Sequence, residues 1–323
     1  MENMNKIETY RKMRSDFYKK FKNNCAPVLQ NFESERIRLK NIVTAIGIIS
    51  VIAITASIGY FILFAGIIDN VIITPIVIIS GLIAAGINHF CKTFERKIKK
   101  RIMPVVCGCF ENLKWVENPY VDHTLHEKSG LISEYYNKIA VDDVFEGTFR
   151  EVPMNIEEVE YTRVESRTSA RSGYREEKTT VFKGIFVTLQ MNKNFNSHTL
   201  VKQNAILKNV NISGLRHTTL EDVQFEKQFD VFTNDEVEAR YLLTPSFMER
   251  LSDMRRTFST SRISCAFFQN RFIIALDTRR DMFKLGSLFK KADDTKQFFQ
   301  LYEEIEAVVK LIDHFKLDQK IGL

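Results

Sequence analysis

The stretch IVTAIGIISVIAITASIGYFILFA, residues 42–65, decides how this chain is organised, because it carries no charged side chain over 24 residues. A helix of that length extends about 36 Å, which is enough to cross the roughly 30 Å hydrocarbon layer of a bilayer. A polar break at Asp69 and Asn70 follows, and then a second uncharged run, VIITPIVIISGLIAAGI at 71–87. The second run lies at the short end of the spanning range. The sequence therefore predicts a transmembrane hairpin of two helices at 41–90.

Two alternatives explain the same pattern less well. A helical hairpin buried in a soluble protein rarely stays uncharged on every face through two consecutive runs. A cleavable signal peptide has an apolar region of about 7–15 residues near the N-terminus, whereas the first run is longer and begins after 40 mostly polar residues.

Basic residues flank the hairpin on both sides. Ten Lys and Arg precede the first run, six lie at 92–101, and the connecting loop has none. The positive-inside rule therefore predicts that both termini are cytoplasmic and that a short loop lies outside. The cations next to the membrane are expected to bind anionic lipid headgroups. They are Arg36, Arg38, Lys40, Lys92, Arg96, Lys97, Lys99, Lys100 and Arg101.

Composition and charge exclude several classes of protein. The 323 residues include 46 Lys and Arg, 40 Asp and Glu, five Cys and 26 Phe. Residues 1–101 carry a net charge of +9 and residues 102–323 a net charge of −3, so the basic excess lies beside the membrane and not on a nucleic-acid surface. No nucleic acid partner is predicted. Five cysteines form no disulfide framework and agree with a reducing compartment.

The segments beside the hairpin have helical periodicity. Residues 2–24 carry an apolar stripe that either lies on the membrane surface or packs on the helix leaving the second span; packing is favoured because the stripe is narrow and aromatic-rich. Pro27 is expected to interrupt this helix. Helices are also predicted at 91–116 and 120–140, separated by a break at Asn118-Pro119.

Beyond about residue 144 the pattern predicts mainly strands. Apolar alternation marks strands near 144–149, 159–164, 181–191, 198–202, 205–212 and 223–231. The polar stretch 166–180 is predicted to be a mobile hairpin loop. Asp235 and Thr244-Pro245 are helix start signals, and Gln269-Asn270 is expected to turn a hairpin between 263–268 and 271–277. A helix at 294–315 closes the chain.

The predicted fold class is therefore α+β. A two-helix transmembrane hairpin with flanking helices is followed by a cytosolic, mostly antiparallel β-sheet domain closed by a C-terminal helix. The expected domains are a cytosolic amphipathic helix at 1–40, the hairpin at 41–90, juxtamembrane helices at 91–140 and a cytosolic α+β domain at 141–323.

Several stretches resemble one protein family. These are FEKQFDVFTNDEVEARYLLTPSFMERL at 225–251, ISCAFFQNRFIIAL at 263–276, FEGTF at 145–149 and VFKGIFV at 181–187. They are similar to the DUF3137 family of bacterial membrane-anchored proteins of unknown function. The resemblance implies an N-terminal membrane hairpin, a soluble α+β region and a bacterial cytoplasmic membrane, and it supplies no activity or site residues.

Motifs that carry chemistry are few. The chain has no GxGxxG, GxxxxGK, HExxH or GxSxG sequence, and neither catalytic residues nor a cofactor are predicted. His123 and His126 are spaced to share a helix face and are weak candidates for a metal site, but no further ligands are evident, so a polar helix start is the favoured interpretation. Cys107 and Cys109 form one CxC pair where zinc sites need two, and Cys265 lies in an apolar strand pattern, so buried thiols are expected.

Three functional hypotheses follow. The favoured one is a non-enzymatic, membrane-anchored binding or scaffolding module that presents its sheet and the 166–180 stretch to a protein partner or a lipid headgroup. The second is an enzyme that acts on a membrane-proximal substrate, which requires a pocket that gathers His123, His126, Glu127 and residues 236–240. The third is an oligomeric channel or transport accessory subunit, which requires self-association because two spans cannot enclose a pathway.

Overall fold

The structure is a computed structural model that describes residues 2–64, 70–169, 173–192, 194–203, 214–258, 260, 262–292, 294–315 and 317. The helices are α1 (Glu2–Lys20), α2 (Ala26–Phe64), α3 (Asn70–Cys107), α4 (His123–Lys128), α5 (Val223–Glu226), α6 (Glu236–Leu242), α7 (Pro245–Phe258) and α8 (Thr295–Phe315). The strands are β1 (Lys114–Trp115), β2 (Lys138–Phe149), β3 (Val152–Ser169), β4 (Gly173–Gln190), β5 (Thr199–Gln203), β6 (Arg216–Thr218), β7 (Phe229–Thr233), β8 (Arg262–Phe268) and β9 (Arg271–Asp277). The fold is mixed α+β, as the sequence predicts.

The chain divides into two compact units. The first contains Met1–Cys109 and Lys284–Gln300, and the second contains Phe110–Phe283 and Leu301–Leu323. The first unit is built from the long N-terminal helices. The second unit contains the whole sheet.

In the first unit, the predicted interruption at Pro27 is wrong. A π-turn at Phe21–Cys25 joins α1 to α2, so the chain is helical from Glu2 to Phe64. Proline has no N–H to donate, and its ring clashes with the carbonyl four residues earlier, here that of Asn23. Asn23 lies inside the π-turn, where the wider loop of the backbone leaves room for the ring. The helix therefore continues past Pro27 without a break.

The apolar stripe of residues 2–24 packs on protein. Phe21 lies against Phe298, with ring centroids 4.9 Å apart, and Phe17 meets Phe299 edge-on at 5.5 Å. Phe17 and Phe21 are buried, because these aromatic pairs cover them. This favours packing over the lipid-surface alternative for this helix.

In the second unit, nine strands form one antiparallel sheet among the described residues. Their order is β1-β2-β3-β4-β9-β8-β5-β7-β6. The predicted β8–β9 hairpin is confirmed: it turns at Gln269 and Asn270, which both have positive φ. Asp235 caps α6 by accepting hydrogen bonds from two backbone N–H groups, and Thr244 accepts one from Phe247 at the start of α7.

Other local predictions are wrong in this unit. The helix predicted at 120–140 is only the short α4, and residues from Lys138 onward belong to β2, whose alternation begins earlier than the sequence suggests. The strand predicted at 223–231 is α5 followed by β7, because Asp222 caps a helical turn first. The strand predicted at 205–212 lies outside the described residues.

The prediction of a mobile loop at 166–180 is also wrong. β3 and β4 remain paired as far as Ser169↔Gly173, so most of this polar stretch is strand. Neighbouring strands stop earlier: the pairing of β2 with β3 ends at Thr162, and the pairing of β9 with β4 ends at Gly184. Beyond those points the two strands form a two-stranded extension, here called the ribbon (163–169 and 173–180).

Two glycines in the family-like stretches are required by close backbone approaches. A Cβ at Gly184 would lie 2.0 Å from the carbonyl oxygen of Leu276 in β9, and a Cβ at Gly147 would lie 2.2 Å from that of Asn112. Real Cβ atoms do not come that close to a backbone atom. The glycines of VFKGIFV and FEGTF therefore allow neighbouring segments to pack on β4 and β2.

The sheet is covered on both faces, which explains the almost continuous apolar run of β4. On one face, Phe247 of α7 and Phe315 of α8 lie 4.9 Å apart and contact Phe272 of β9. The opposite face contributes to a separate buried cluster. That cluster comprises Val121, Leu131, Ile132, Val144, Val159, Tyr161, Val181, Phe182, Phe186, Leu200, Phe232, Ala266, Ile273 and Ala275.

Candidate membrane-anchoring site and buried polar clusters

The apolar part of α2 is not buried by the protein. Among the described residues, one helical stretch, Ile7–Gly59, is long and apolar enough to span a membrane, and 6% of its apolar segment is buried. A core helix of a soluble protein would be mostly covered. Large side chains of α2 are instead exposed along its length, namely Ile48, Ile49, Val51, Ile52 and Ile58.

The described part of α3 has a similar surface. Ile78, Ile79 and Leu82 are exposed in the second predicted span. The connection between α2 and α3, residues 65–69, lies outside the described residues. α2 and α3 are therefore two separate helices, and the transmembrane hairpin stays a prediction.

The nine predicted headgroup-binding cations occupy two different environments. Seven are exposed: Arg38, Lys40, Lys92, Arg96, Lys97, Lys100 and Arg101. Of these, Lys97 forms an ion pair with Glu35 at 2.7 Å, which links α3 to α2. The other two are buried.

Arg36 and Lys99 are the buried cations. Arg36 donates two hydrogen bonds to Glu33, at 2.6 and 2.8 Å, and a third to the carbonyl oxygen of Leu288 at 2.7 Å. Lys99 lies 3.4 Å from Glu95 one turn earlier in α3. Both side chains are held inside the first unit, which leaves seven exposed cations for contact with headgroups.

The two histidines proposed for a metal site lie in unlike environments. His126 is 1% exposed, and its ring stacks on Phe186 with centroids 3.7 Å apart. His126 Nδ1 lies 2.6 Å from the hydroxyl of Tyr161, and Nε2 lies 2.8 Å from Glu157 Oε2. His123 is half-buried at the start of α4. The two rings therefore lie in different surroundings, and metal binding by this pair stays a prediction.

Tyrosines extend the network around His126. Tyr136 packs edge-on against Tyr161, with centroids 4.6 Å apart, and donates a hydrogen bond to Glu127. Burial, followed by the neighbouring Tyr136 and Glu157, raises the pKa of Tyr161. Burial and the Glu127 carboxylate raise the pKa of Tyr136. Both phenols therefore stay protonated, and each hydroxyl forms a hydrogen bond, Tyr136 with Glu127 and Tyr161 with His126.

The remaining candidate groups have structural roles. None of the five cysteines forms a disulfide, and Cys25, Cys107 and Cys265 are buried. Burial raises the pKa of Cys25 to about 11 and also raises that of Cys265, which keeps both as unreactive thiols. Glu236 and Arg240 form an exposed i,i+4 ion pair at 3.6 Å. Among the described residues, His126 contacts Phe186, Tyr161 and Glu157, and neither Glu236 nor Arg240 is among its partners.

A cluster that sequence reasoning missed lies in the second unit. Carboxylate oxygens of Asp142, Glu158 and Asp281 come within 4.8 Å of one another. The adjacent acids Asp142-Asp143 and Glu157-Glu158 are visible in the sequence, but Asp281 is more than 120 residues away along the chain. Only the pairing of β2 with β3 and the course of the chain after β9 bring the three together.

Comparison with known families tests the resemblance found in the sequence. A family model described as "Protein of unknown function (DUF3137)" matches residues 180–317. These residues match the DUF3137 family. The matched DUF3137 region includes three of the four stretches that suggested the resemblance and runs from β4 to just beyond α8; the fourth, FEGTF at 145–149, precedes it.

Wider comparisons add little to the DUF3137 match. No curated protein sequence matches the chain. One solved structure, the crystal structure of the mycobacterial trehalose monomycolate transport factor A, TtfA, aligns with 58% of this chain and 79% of its own. Its sequence identity is 9% and its TM-score is 0.29, so the likeness does not establish a common fold.

Proposed function

We propose that this chain is a non-enzymatic binding or scaffolding module anchored in a bacterial cytoplasmic membrane. The observation that carries the proposal is the uncovered apolar surface of α2, of which 6% is buried. Water around that surface costs about 25 cal/mol per Å² of apolar area, and a bilayer removes the cost. The DUF3137 match is compatible with this role and names no activity.

The anchor in this proposal is a two-helix hairpin at 41–90 with both termini cytoplasmic. The exposed isoleucines of α3 support a second span, and the charge asymmetry of the sequence supports the orientation. The seven exposed cations beside the spans would contact anionic headgroups, each contributing about 1 kcal/mol near the surface. The juxtamembrane region 91–140 and the α+β domain 141–323 would then be cytosolic.

Introducing charge into α2 tests the anchor. The apolar segment 42–65 contains 13 Ile, Val, Leu and Phe residues, each favouring insertion by about 0.3–0.6 kcal/mol, whereas a central Arg opposes it by about 2.5–3.5 kcal/mol. The two arginines of the double variant Ile49→Arg, Ile52→Arg therefore cancel most of the free energy that favours insertion of this segment into the membrane. We expect the protein to leave the carbonate-washed membrane fraction.

A matched control adds charge where a cation is tolerated. Ile37 is exposed beside the basic residues that precede the span, so Ile37→Arg should remain fully in the membrane fraction. Retention of the double variant in washed membranes would contradict a spanning α2. Labelling of a cysteine placed at position 68 from the cytoplasmic side only would contradict the hairpin.

The ribbon is the surface we propose for a protein partner. Its described side chains are largely exposed and carry both signs of charge, including Arg163, Glu165, Glu177 and Lys178. Among the described residues, no further strand pairs with the outer edges of the ribbon. The backbone groups of Val164 are bonded to the Asn137 side chain, and the edge groups beyond it are those we propose for pairing with a partner's strand. Seven residues of strand extend about 23 Å, which is long enough for such pairing.

Shortening the ribbon tests this surface. Replacing residues 166–176 with Asn-Gly would close β3 and β4 by a two-residue turn next to Glu165↔Glu177, which already face each other. Proximity labelling with a tag at Leu323 should identify a defined set of neighbours that the shortened chain loses. A Glu236→Gln chain, changed at an exposed position outside the ribbon, should keep them. If the shortened chain labels the same neighbours, the ribbon is excluded as the partner-binding surface. If the wild-type chain labels bulk membrane proteins alone, a specific partner is contradicted.

A further inference from the structure

The acidic cluster of the second unit is assembled from three separate elements. Asp142 lies where the register of β2 against β3 shifts, between Val141 and Val144. Glu158 lies in the middle of β3, opposite Ile185 of β4. Asp281 follows β9 in the segment 278–283. A β-bulge inserts an unpaired residue and redirects side chains, which accounts for Asp142 turning toward the other two acids.

Glu158 is the buried member of the cluster. It is 5% exposed, and its Oε1 accepts a hydrogen bond from the backbone N–H of Met282 at 2.6 Å. Its Oε2 is fully buried and accepts no hydrogen bond within the described part of the chain. A buried carboxylate oxygen without a donor is costly, and proteins usually compensate it with a hydrogen-bond donor or a metal ion.

The charges around Glu158 have the sign that attracts a cation. The carboxylates of Asp142, Asp143 and Asp281 all lie close to Glu158. Asp143 already accepts a hydrogen bond from the indole N–H of Trp115 at 2.8 Å. Arg279, two residues before Asp281 in the chain, pairs with Asp277 at 3.0 Å.

We propose that Asp142, Glu158 and Asp281 bind a divalent cation that prefers oxygen ligands, with Ca²⁺ as the best match. Ca²⁺ binds oxygens at about 2.3–2.6 Å, so oxygens on opposite sides of the ion lie up to about 5 Å apart. The three carboxylates meet that limit without moving. Mg²⁺ requires distances of about 2.0–2.1 Å and near-ideal octahedral geometry, so the carboxylates would have to close in.

Such an ion would fasten the segment 278–283 to β2 and β3. Met282 and Phe283 in that segment are buried, and Phe283 packs edge-on against Phe145 of β2 at 4.9 Å. Waters would complete the coordination on the side of Asp142, which is exposed. The inference concerns the second unit alone and does not depend on the membrane anchor.

Calcium titration of the full-length, detergent-solubilised protein tests the site. We expect CaCl₂ to raise the thermal midpoint saturably and to slow hydrogen exchange at the Met282 amide. Glu158→Gln keeps the size of the side chain and an acceptor for Met282, and it should weaken Ca²⁺ binding at least tenfold. Asp142→Asn, at an exposed position, should do the same and guards against misfolding of the first variant.

Glu177→Gln provides the matched control. It removes one carboxylate from the exposed ribbon and should leave the calcium response unchanged. The proposal is overturned if 1 mM CaCl₂ changes neither the thermal midpoint of the wild-type protein nor the rate of hydrogen exchange at its Met282 amide. It is also overturned if both cluster variants respond as the wild type does, since the ion would then bind elsewhere.

Discussion

Arg36 and Arg38 lie two residues apart in α2, and their replacement by Gln is expected to have different consequences. Arg36 is buried and joins Glu33 to the carbonyl oxygen of Leu288, and Glu33 in turn accepts a hydrogen bond from the N–H of Ala292 at 2.7 Å. The Glu33–Arg36 pair therefore holds the segment 288–292 against α2. Arg38 is exposed.

The expected magnitudes follow from burial. Removing one partner of a buried ion pair costs about 3–5 kcal/mol, because the remaining charge is left uncompensated. The Glu33 side chain is 23% exposed, so water compensates part of that loss, and about 2–3 kcal/mol is expected for Arg36→Gln. Arg38→Gln should change the free energy of unfolding by less than about 0.5 kcal/mol.

Hydrogen exchange on the full-length protein measures the difference locally. A loss of about 2–3 kcal/mol corresponds to exchange that is about 30- to 150-fold faster at the Ala292 amide if the segment opens as a unit. Arg38→Gln should leave that amide unchanged. Equal exchange at Ala292 in all three proteins would refute the idea that the Glu33–Arg36 pair fastens the segment.

The same pair should respond to acid. Hydrogen bonding from Arg36 holds the pKa of Glu33 below its usual range, and the Ala292 N–H acts in the same direction. A carboxyl with a lowered folded pKa stabilises the protein fully above the unfolded value, about 4.3, and loses this contribution as the pH falls through the folded value. The difference between wild type and Arg36→Gln should therefore narrow below about pH 4.

Two further predictions concern the sheet. Gly184→Ala and Gly147→Ala should each lower the free energy of unfolding by more than about 3 kcal/mol, because the new methyl group would overlap a backbone oxygen. A methyl group at Gly47 has open space, so Gly47→Ala should leave the thermal midpoint unchanged in a thermal-shift measurement. Burial lowers the pKa of Lys202 to about 8, so its charge destabilises the fold below that pH and the penalty disappears as the pH rises toward the unfolded value of about 10.4. Lys202→Met should therefore raise the thermal midpoint at pH 7 by more than at pH 10, and an equal gain at both would contradict this account.

Local signals predicted local structure well. The caps at Asp235 and Thr244 and the turn at Gln269-Asn270 depend on side chains within three residues, so the sequence contains all the information they need. The ribbon was missed because its Ser, Thr, Arg and Glu content is typical of loops. Its stability as strand comes from pairing between β3 and β4, which composition does not reveal.

Distant contacts explain why the candidate sites were harder to predict. Arg36 and Arg38 look alike in the sequence, and only the carbonyl of Leu288, 252 residues further along, distinguishes the buried one. His126 was considered as a metal ligand because its partners, Glu157 and Tyr161, belong to β3 and do not adjoin it in the chain. Asp281 is also distant from Asp142 and Glu158 in the sequence, and only the fold brings the three acids together.

The π-turn between α1 and α2 sets the rotational phase of the N-terminal helix. Phe17, Phe21, Cys25 and Leu29 are all buried and are spaced by four residues. In an unbroken α-helix each step of four advances about 40° around the axis, so three steps would rotate the stripe by about 120° and carry Leu29 off the buried face. The wider turn at Phe21–Cys25 cancels much of that drift. Deleting one residue from it would rotate everything after the deletion by about 100° relative to α1, and the helix would then present a different face along its whole remaining length.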